Sequence, residues 1–111
     1  MAKITIPKEI RQEVEKIINE FNKKTFSGYE NQVAYYAEYK GKFLYLQRKE
    51  FRNISPVARL TYTGDMDDWE FAIFKWSSER YDPDEWFFPG EEFVDGTVEG
   101  AMKAGLEAYP I

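Results

Sequence analysis

Apolar residues recur at helical spacing near both ends of this chain of 111 residues. The N-terminal stripe consists of Ile10, Val14, Ile17, Ile18 and Phe21. Its intervals of three and four residues predict an amphipathic helix over residues 7–24, with Pro7 in the first turn and Thr5 as a candidate cap. The C-terminal stripe consists of Val98, Ala101, Met102, Gly105, Leu106 and Tyr109. It predicts a second helix that follows cap candidates at residues 95–97 and ends at Pro110.

Between the helices, apolar and polar residues alternate with the period of two that is typical of β-strands. Residues 32–39 and 42–48 are rich in Tyr, Phe and Val and flank a Lys-Gly turn. This pattern predicts a β-hairpin in which Tyr39 pairs with Lys42. The helix-facing side of the hairpin is then predicted to carry Val33, Tyr35, Ala37, Leu44 and Leu46.

The remaining strands follow an interruption of this alternation. Residues 52–56 break the pattern, residues 57–63 resume it as a third strand, and residues 69–76 form a fourth strand that is apolar on both faces. Residues 77–93 contain Pro and Gly breakers and are predicted to be irregular. The order α-β-β-β-β-α predicts an α+β fold, an antiparallel meander sheet with the N- and C-terminal helices packed on one face. We expect residues 1–111 to form a single domain.

Five aromatic residues fall on the opposite face of the predicted sheet. They are Tyr36, Phe43, Tyr45, Phe74 and Trp76. Because a monomer rarely exposes so large an apolar patch, we expect residues 77–93, a second copy of the chain, or another partner or ligand to cover it. These five candidate binding residues predict a non-catalytic protein-interaction or ligand-binding module, whose partner is a homodimer mate or another protein.

The composition removes several classes of catalytic and metal site. The chain has no Cys and no His, which excludes Ser-His-Asp and Cys-His nucleophile systems and zinc sites built from N and S ligands. We therefore expect no cofactor, no metal and no catalytic residue. The alternative is a carboxylate- or metal-dependent enzyme that uses the acidic C-terminal half. Its acidic runs at residues 65–68 and 82–85 lack the spacing of a calcium loop, and we interpret them as solvated turns.

Charge is distributed unevenly along the chain. The formal net charge is −5, with a net of +5 in residues 1–60 and −10 in residues 61–111. In the basic aromatic hairpin at residues 39–59, Lys and Arg side chains alternate with aromatic rings, as they do on surfaces that bind single-stranded nucleic acid. This binding is a second alternative, but the overall charge opposes it, and we do not expect tight nucleic-acid binding.

Residues 56–83 carry a family resemblance. The matching positions are Pro56, Val57, Ala58, Arg59, Tyr62, Trp69, Tyr81, Asp82 and Pro83. Their pattern resembles that of a family of short bacterial proteins known only as a domain of unknown function. This chain lacks the Trp-His pair that the family carries just before the final Tyr. The resemblance implies a similar αβββ(β) layout and implies no activity.

The apolar runs also bear on location. The longest runs, at residues 33–37, 43–46 and 71–74, are far shorter than the roughly 18 residues that a membrane-spanning helix needs. The first residues lack the apolar stretch and the cleavage site of a signal peptide. We therefore expect no membrane segment and a cytoplasmic location.

Overall fold

The chain folds as a helix, a meander sheet and a second helix, which confirms the predicted α+β class. The computed structural model describes residues 5–85 and 87–110. Within these ranges the elements are α1 (Lys8–Thr25), β1 (Val33–Lys40), β2 (Phe43–Glu50), β3 (Asn53–Thr61), β4 (Glu70–Lys75), β5 (Arg80–Asp82), a short 3-10 helix (Glu91–Phe93) and α2 (Val98–Ala108). The strands pair antiparallel in the order β1-β2-β3-β4-β5, and both helices pack on the same side of the sheet.

The fifth strand lies in a segment that was expected to be irregular. Residues 80–82 pair with β4, and Tyr81 lies opposite Phe74. A strand of three residues is too short to show an alternating pattern, and its charged ends resemble a polar loop. The prediction of four strands was therefore one strand short.

The register of the first hairpin differs from the predicted one by two residues. Lys40 lies opposite Phe43, so the two-residue turn begins at Gly41, whose φ of 61° suits the first turn position of a type II′ hairpin. The predicted pair of Tyr39 with Lys42 is wrong. Because side chains alternate with a period of two, a shift of two residues leaves every side chain on its predicted face.

Residues 53–56 of the predicted break are instead part of β3. The second hairpin turns at Phe51, which has a φ of 59°, and β3 then runs from Asn53. A register shift between Leu46 and Gln47 forms an irregularity opposite Pro56. A bulge accepts proline in a sheet because the residue there does not have to donate to the ladder.

The helix ends follow local chemistry. α1 begins after Pro7, and no side chain caps it, so the predicted Thr5 cap is wrong. α2 begins after Thr97, whose hydroxyl accepts a hydrogen bond from the Gly100 backbone N–H at 3.0 Å. A Cβ at Gly105 would lie 2.5 Å from a methyl group of β3, so glycine at this position lets α2 approach the sheet closely.

The core lies between the helices and the sheet. Leu44, Leu60 and Ile73 are fully buried, and the rings of Phe21 and Tyr35 meet edge to face with centroids 5.8 Å apart. The predicted inward residues of the first hairpin lie on this side. Neither helix of the described ranges combines the length and apolar character that a membrane-spanning helix requires.

Candidate interaction surface

The face of the sheet opposite the helices carries the five candidate binding residues. Tyr36, Phe43, Tyr45 and Phe74 occupy outward positions on β1, β2 and β4 and are half-buried. Trp76 follows the end of β4 and is 52% exposed. We call this side of the sheet the outer face.

Four of these rings form a continuous line through Tyr81, a residue that was not among the predicted binding residues. Ring centroids are 6.1 Å apart for Phe43 and Tyr45, 5.4 Å for Tyr45 and Tyr81, 5.1 Å for Tyr81 and Phe74, and 5.0 Å for Phe74 and Trp76. We call these five residues the aromatic row. Tyr81 became visible only through the pairing of β5, because the spacing of the sequence gives no sign of that strand.

Tyr36 lies apart from the aromatic row. In the described part of the chain its ring has no stacking partner, and its hydroxyl donates to Gln47 Oε1 at 3.4 Å. Burial, followed by the nearby charge of Glu38, raises the pKa of Tyr36. Tyr36 therefore belongs to the polar flank of the outer face.

A guanidinium group lies within the aromatic row. The Cζ of Arg59 is 4.8 Å from the ring centroid of Phe43 and 5.7 Å from that of Tyr81. Within the described residues its Nε is buried without a hydrogen-bond partner, and no carboxylate there forms an ion pair with it. The rings hold this cation by cation–π attraction, which leaves its charge available to another molecule.

An acidic residue lies in the same cross-strand row as Arg59. Glu38 on β1 is opposite Tyr45 on β2, which is opposite Arg59 on β3. Glu38 is exposed and forms no ion pair within the described residues. Among the described residues, the outer face therefore presents a carboxylate (Glu38) and a guanidinium (Arg59), each without an ion-pair partner, on the two sides of Tyr45.

The segment at residues 77–93 contributes a ring to this face and then turns to the other side. Tyr81 joins the aromatic row. Phe88 instead stacks on Phe71 of the core, with centroids 5.8 Å apart, and Gly90 lies against the backbone of α2. In the described residues, these contacts do not form a layer over the outer face.

A shallow cavity of about 540 Å³ lies beside Arg59. Pro83 lines it together with three acids, Asp68, Glu70 and Asp95. The local excess of negative charge makes this cavity a poor site for phosphate or carboxylate ligands.

The basic hairpin contributes fewer surface charges than the sequence indicated. Arg48 is 2% exposed and lies on the helix side of the sheet. Its guanidinium donates to Glu50 Oε1 at 3.1 Å, to Tyr35 Oη at 3.4 Å and to the Tyr109 carbonyl oxygen. Arg48 therefore fixes the end of α2 to the sheet and is withdrawn from any surface that binds a polyanion.

The acidic turns satisfy their own backbone. The Asp65 carboxylate accepts from the Asp67 N–H at 2.9 Å, and the Asp82 carboxylate accepts from the Asp84 N–H at 2.9 Å. This is the Asx-turn geometry that favours Asp in such loops. Among residues 5–85 and 87–110, no three carboxylates converge as metal ligands would.

Comparison of the chain with protein-family models, with curated proteins and with solved structures gives no match. The resemblance of residues 56–83 to a domain of unknown function therefore stays a prediction. The chemistry of the outer face carries the functional argument that follows.

Proposed function

We propose that this chain is a non-catalytic protein-interaction module and that the outer face is its binding surface. The observation that carries the proposal is the aromatic row, a continuous line of five rings on a sheet face over which the described residues form no layer. A two-layer fold normally presents a polar outer face to water. Burying one large apolar side chain contributes roughly 1.5–3 kcal/mol, so a partner gains stability by covering this row.

The composition of the row supports a protein partner. Tyr, Trp, Phe and Arg are the residue types most enriched at protein interfaces and at their energetic hot spots. Arg59 is held between two rings of the row, so its side chain is already ordered before a partner binds. Ordering before binding lowers the entropic cost of association.

Two alternatives receive less support. A surface that binds nucleic acid needs basic side chains that face the phosphate backbone. Arg48 is instead buried on the helix side of the sheet, and the acidic Glu38 lies in the same cross-strand row as Arg59. The chain also carries a net charge of −5, which opposes binding to a polyanion. A carboxylate-dependent enzyme needs converging acids, whereas the acidic turns bind their own backbone.

The proposal can be tested with two matched substitutions of exposed aromatic residues. Trp76, at one end of the row, is 52% exposed, and Tyr29, in the loop after α1, is 63% exposed. We expect Trp76→Glu to abolish cross-linked complexes that the wild-type chain forms with proteins of its source cells. We expect Tyr29→Glu to retain them, because Tyr29 lies outside the row. Both variants should keep the unfolding free energy within about 1 kcal/mol of wild type.

Three results would contradict the proposal. The first is a wild-type chain that forms no complex with itself or with proteins of its source cells. The second is a Trp76→Glu variant that forms complexes with those proteins as the wild type does. The third is submicromolar binding of a single-stranded oligonucleotide at about 150 mM salt that Trp76→Glu abolishes, because this result would assign the outer face to nucleic acid.

A further inference from the structure

We infer that the partner of the outer face is a second copy of this chain, held by reciprocal pairing of Glu38 with Arg59. This inference rests on the proposed function, because it names the occupant of the part of the outer face formed by β1, β2 and β3. Its basis is the unpaired acid and the unpaired base that flank Tyr45 in one cross-strand row.

The spacing of this row suits a two-fold axis. Neighbouring strands lie about 4.8 Å apart, so Glu38 on β1 and Arg59 on β3 are equally far from Tyr45 on β2. A two-fold axis that runs parallel to β2, between the outer faces of the two copies and in front of Tyr45, places β1 of one copy opposite β3 of the other. Each Glu38 then faces the Arg59 of the other copy, and the contact forms twice, as isologous interfaces require.

The same axis brings apolar surfaces together. It superimposes β2 of one copy on β2 of the other, so that Phe43 and Tyr45 face their own counterparts. Facing sheets pack about 10 Å apart, a distance that aromatic side chains from both faces can fill. Two like sheets therefore bury rings against rings and place the charged pairs on both sides of them.

The other charges on the outer face also suit a second copy better than a highly charged partner. The outward strand positions carry Lys40, Lys49 and Arg59 against Glu38 and Glu70, a net charge of +1. A face with nearly equal numbers of both signs suits another such face better than a polyanion or a polycation. The repulsion between two chains of net charge −5 is long-range and is screened beyond about 8 Å at physiological salt.

Charge reversal provides the test. In Glu38→Arg, two bases would face each other at both contacts of the dimer, and in Arg59→Glu, two acids would do so. We expect each variant alone to raise the dimer dissociation constant at least about tenfold, since like charges face each other twice. An equimolar mixture of the two variants restores opposite signs at both contacts, so we expect a heterodimer of nearly wild-type affinity.

The measurement is sedimentation equilibrium over a concentration series, with the unfolding free energy of each variant as a check on folding. Glu13→Arg serves as the control, because Glu13 is exposed on α1 on the other side of the sheet, and we expect it to dimerise as the wild type does. A mixture that stays monomeric while the wild type dimerises would overturn the reciprocal pairing. Single variants that dimerise as tightly as the wild type would overturn it as well.

A wild-type chain that is monomeric at about 100 µM would overturn the second copy as partner. The proposed function would still stand in that case if Trp76→Glu abolishes complexes with another protein, and both would fail if it does not. The two failures are therefore distinguishable.

Discussion

Replacing Arg48 tests the account of the core most sharply, because this residue combines full burial with a charge. The side chain is 2% exposed. It contributes hydrogen bonds to Tyr35, Glu50 and the Tyr109 carbonyl, while its Nε is buried without a hydrogen-bond partner. We expect Arg48→Ala to lower the unfolding free energy strongly and Arg48→Met to lower it much less.

The expected magnitudes follow from these contacts. Truncating a buried side chain to Ala costs about 2–5 kcal/mol because the space that it filled is left empty, and in Arg48→Ala this is the space of the aliphatic stem. Arg48→Met keeps much of that stem and removes the unpartnered Nε. Glu50 is 24% exposed in its pair with Arg48, so water can solvate its carboxylate in the variant. The unmatched Tyr109 carbonyl then accounts for a cost of about 1–3 kcal/mol.

Urea unfolding followed by tryptophan fluorescence measures both variants. Arg52→Ala is the matched control, because Arg52 lies exposed in the turn between β2 and β3, and we expect it to change stability by less than about 0.5 kcal/mol. A loss below about 1 kcal/mol for Arg48→Ala would refute the reasoning. Equal losses for the Ala and Met variants would refute the share assigned to packing of the stem.

Three further predictions concern the same core. Leu60→Ala should cost about 2–5 kcal/mol in urea unfolding, because Leu60 is 1% exposed, and a loss near zero would mean that it packs elsewhere. Gly105→Ala should lower the melting stability by about 1–3 kcal/mol, because its Cβ would lie 2.5 Å from Val57 Cγ1 and 2.7 Å from Tyr35 Oη; an increase in stability would contradict that close approach. Burial raises the pKa of Tyr35 to about 12, whereas a tyrosine of the unfolded chain ionises near pH 10. The folded chain therefore binds the Tyr35 proton more tightly than the unfolded chain does, and the unfolding free energy present below pH 10 should fall by up to about 3 kcal/mol as the pH rises to 12. The unfolding midpoint of Tyr35→Phe should depend less steeply on pH over this range. Equal pH dependence of the two proteins would exclude Tyr35 as a cause of this fall.

The sequence predicted the layers of the fold because its apolar periodicities are strong and local. The stripe that contains Val14 and Phe21 has the helical period, and the assignment of side chains to the two faces survived a wrong hairpin register. The register itself depended on the turn at Gly41, where a Lys on either side gives two turns of equal length. The pattern cannot distinguish them, since both keep the same residues inward.

The parts that the sequence did not predict depend on contacts between distant segments. Tyr81 enters the aromatic row only because β5 pairs with β4, 80 residues into the chain and without a pattern of its own. Arg48 has the parity of the core face, but a charged residue is rarely buried. Its burial depends on the Tyr109 carbonyl oxygen at the end of α2, a partner that no local pattern of β2 indicates.

Side-chain footprinting over a range of protein concentrations shows which side chains a second copy of the chain covers. Hydroxyl radicals label exposed aromatic side chains, so the extent of labelling of each residue reports how exposed its side chain is to solvent. We predict that Tyr36, Phe43 and Tyr45, which the two-fold axis along β2 places between the two copies, lose labelling as the concentration rises, while Tyr29, which is 63% exposed in the loop after α1, does not. Labelling of Tyr36, Phe43 and Tyr45 that stays constant at all concentrations, together with a constant sedimentation mass, would contradict the outer face as the contact between two copies of this chain.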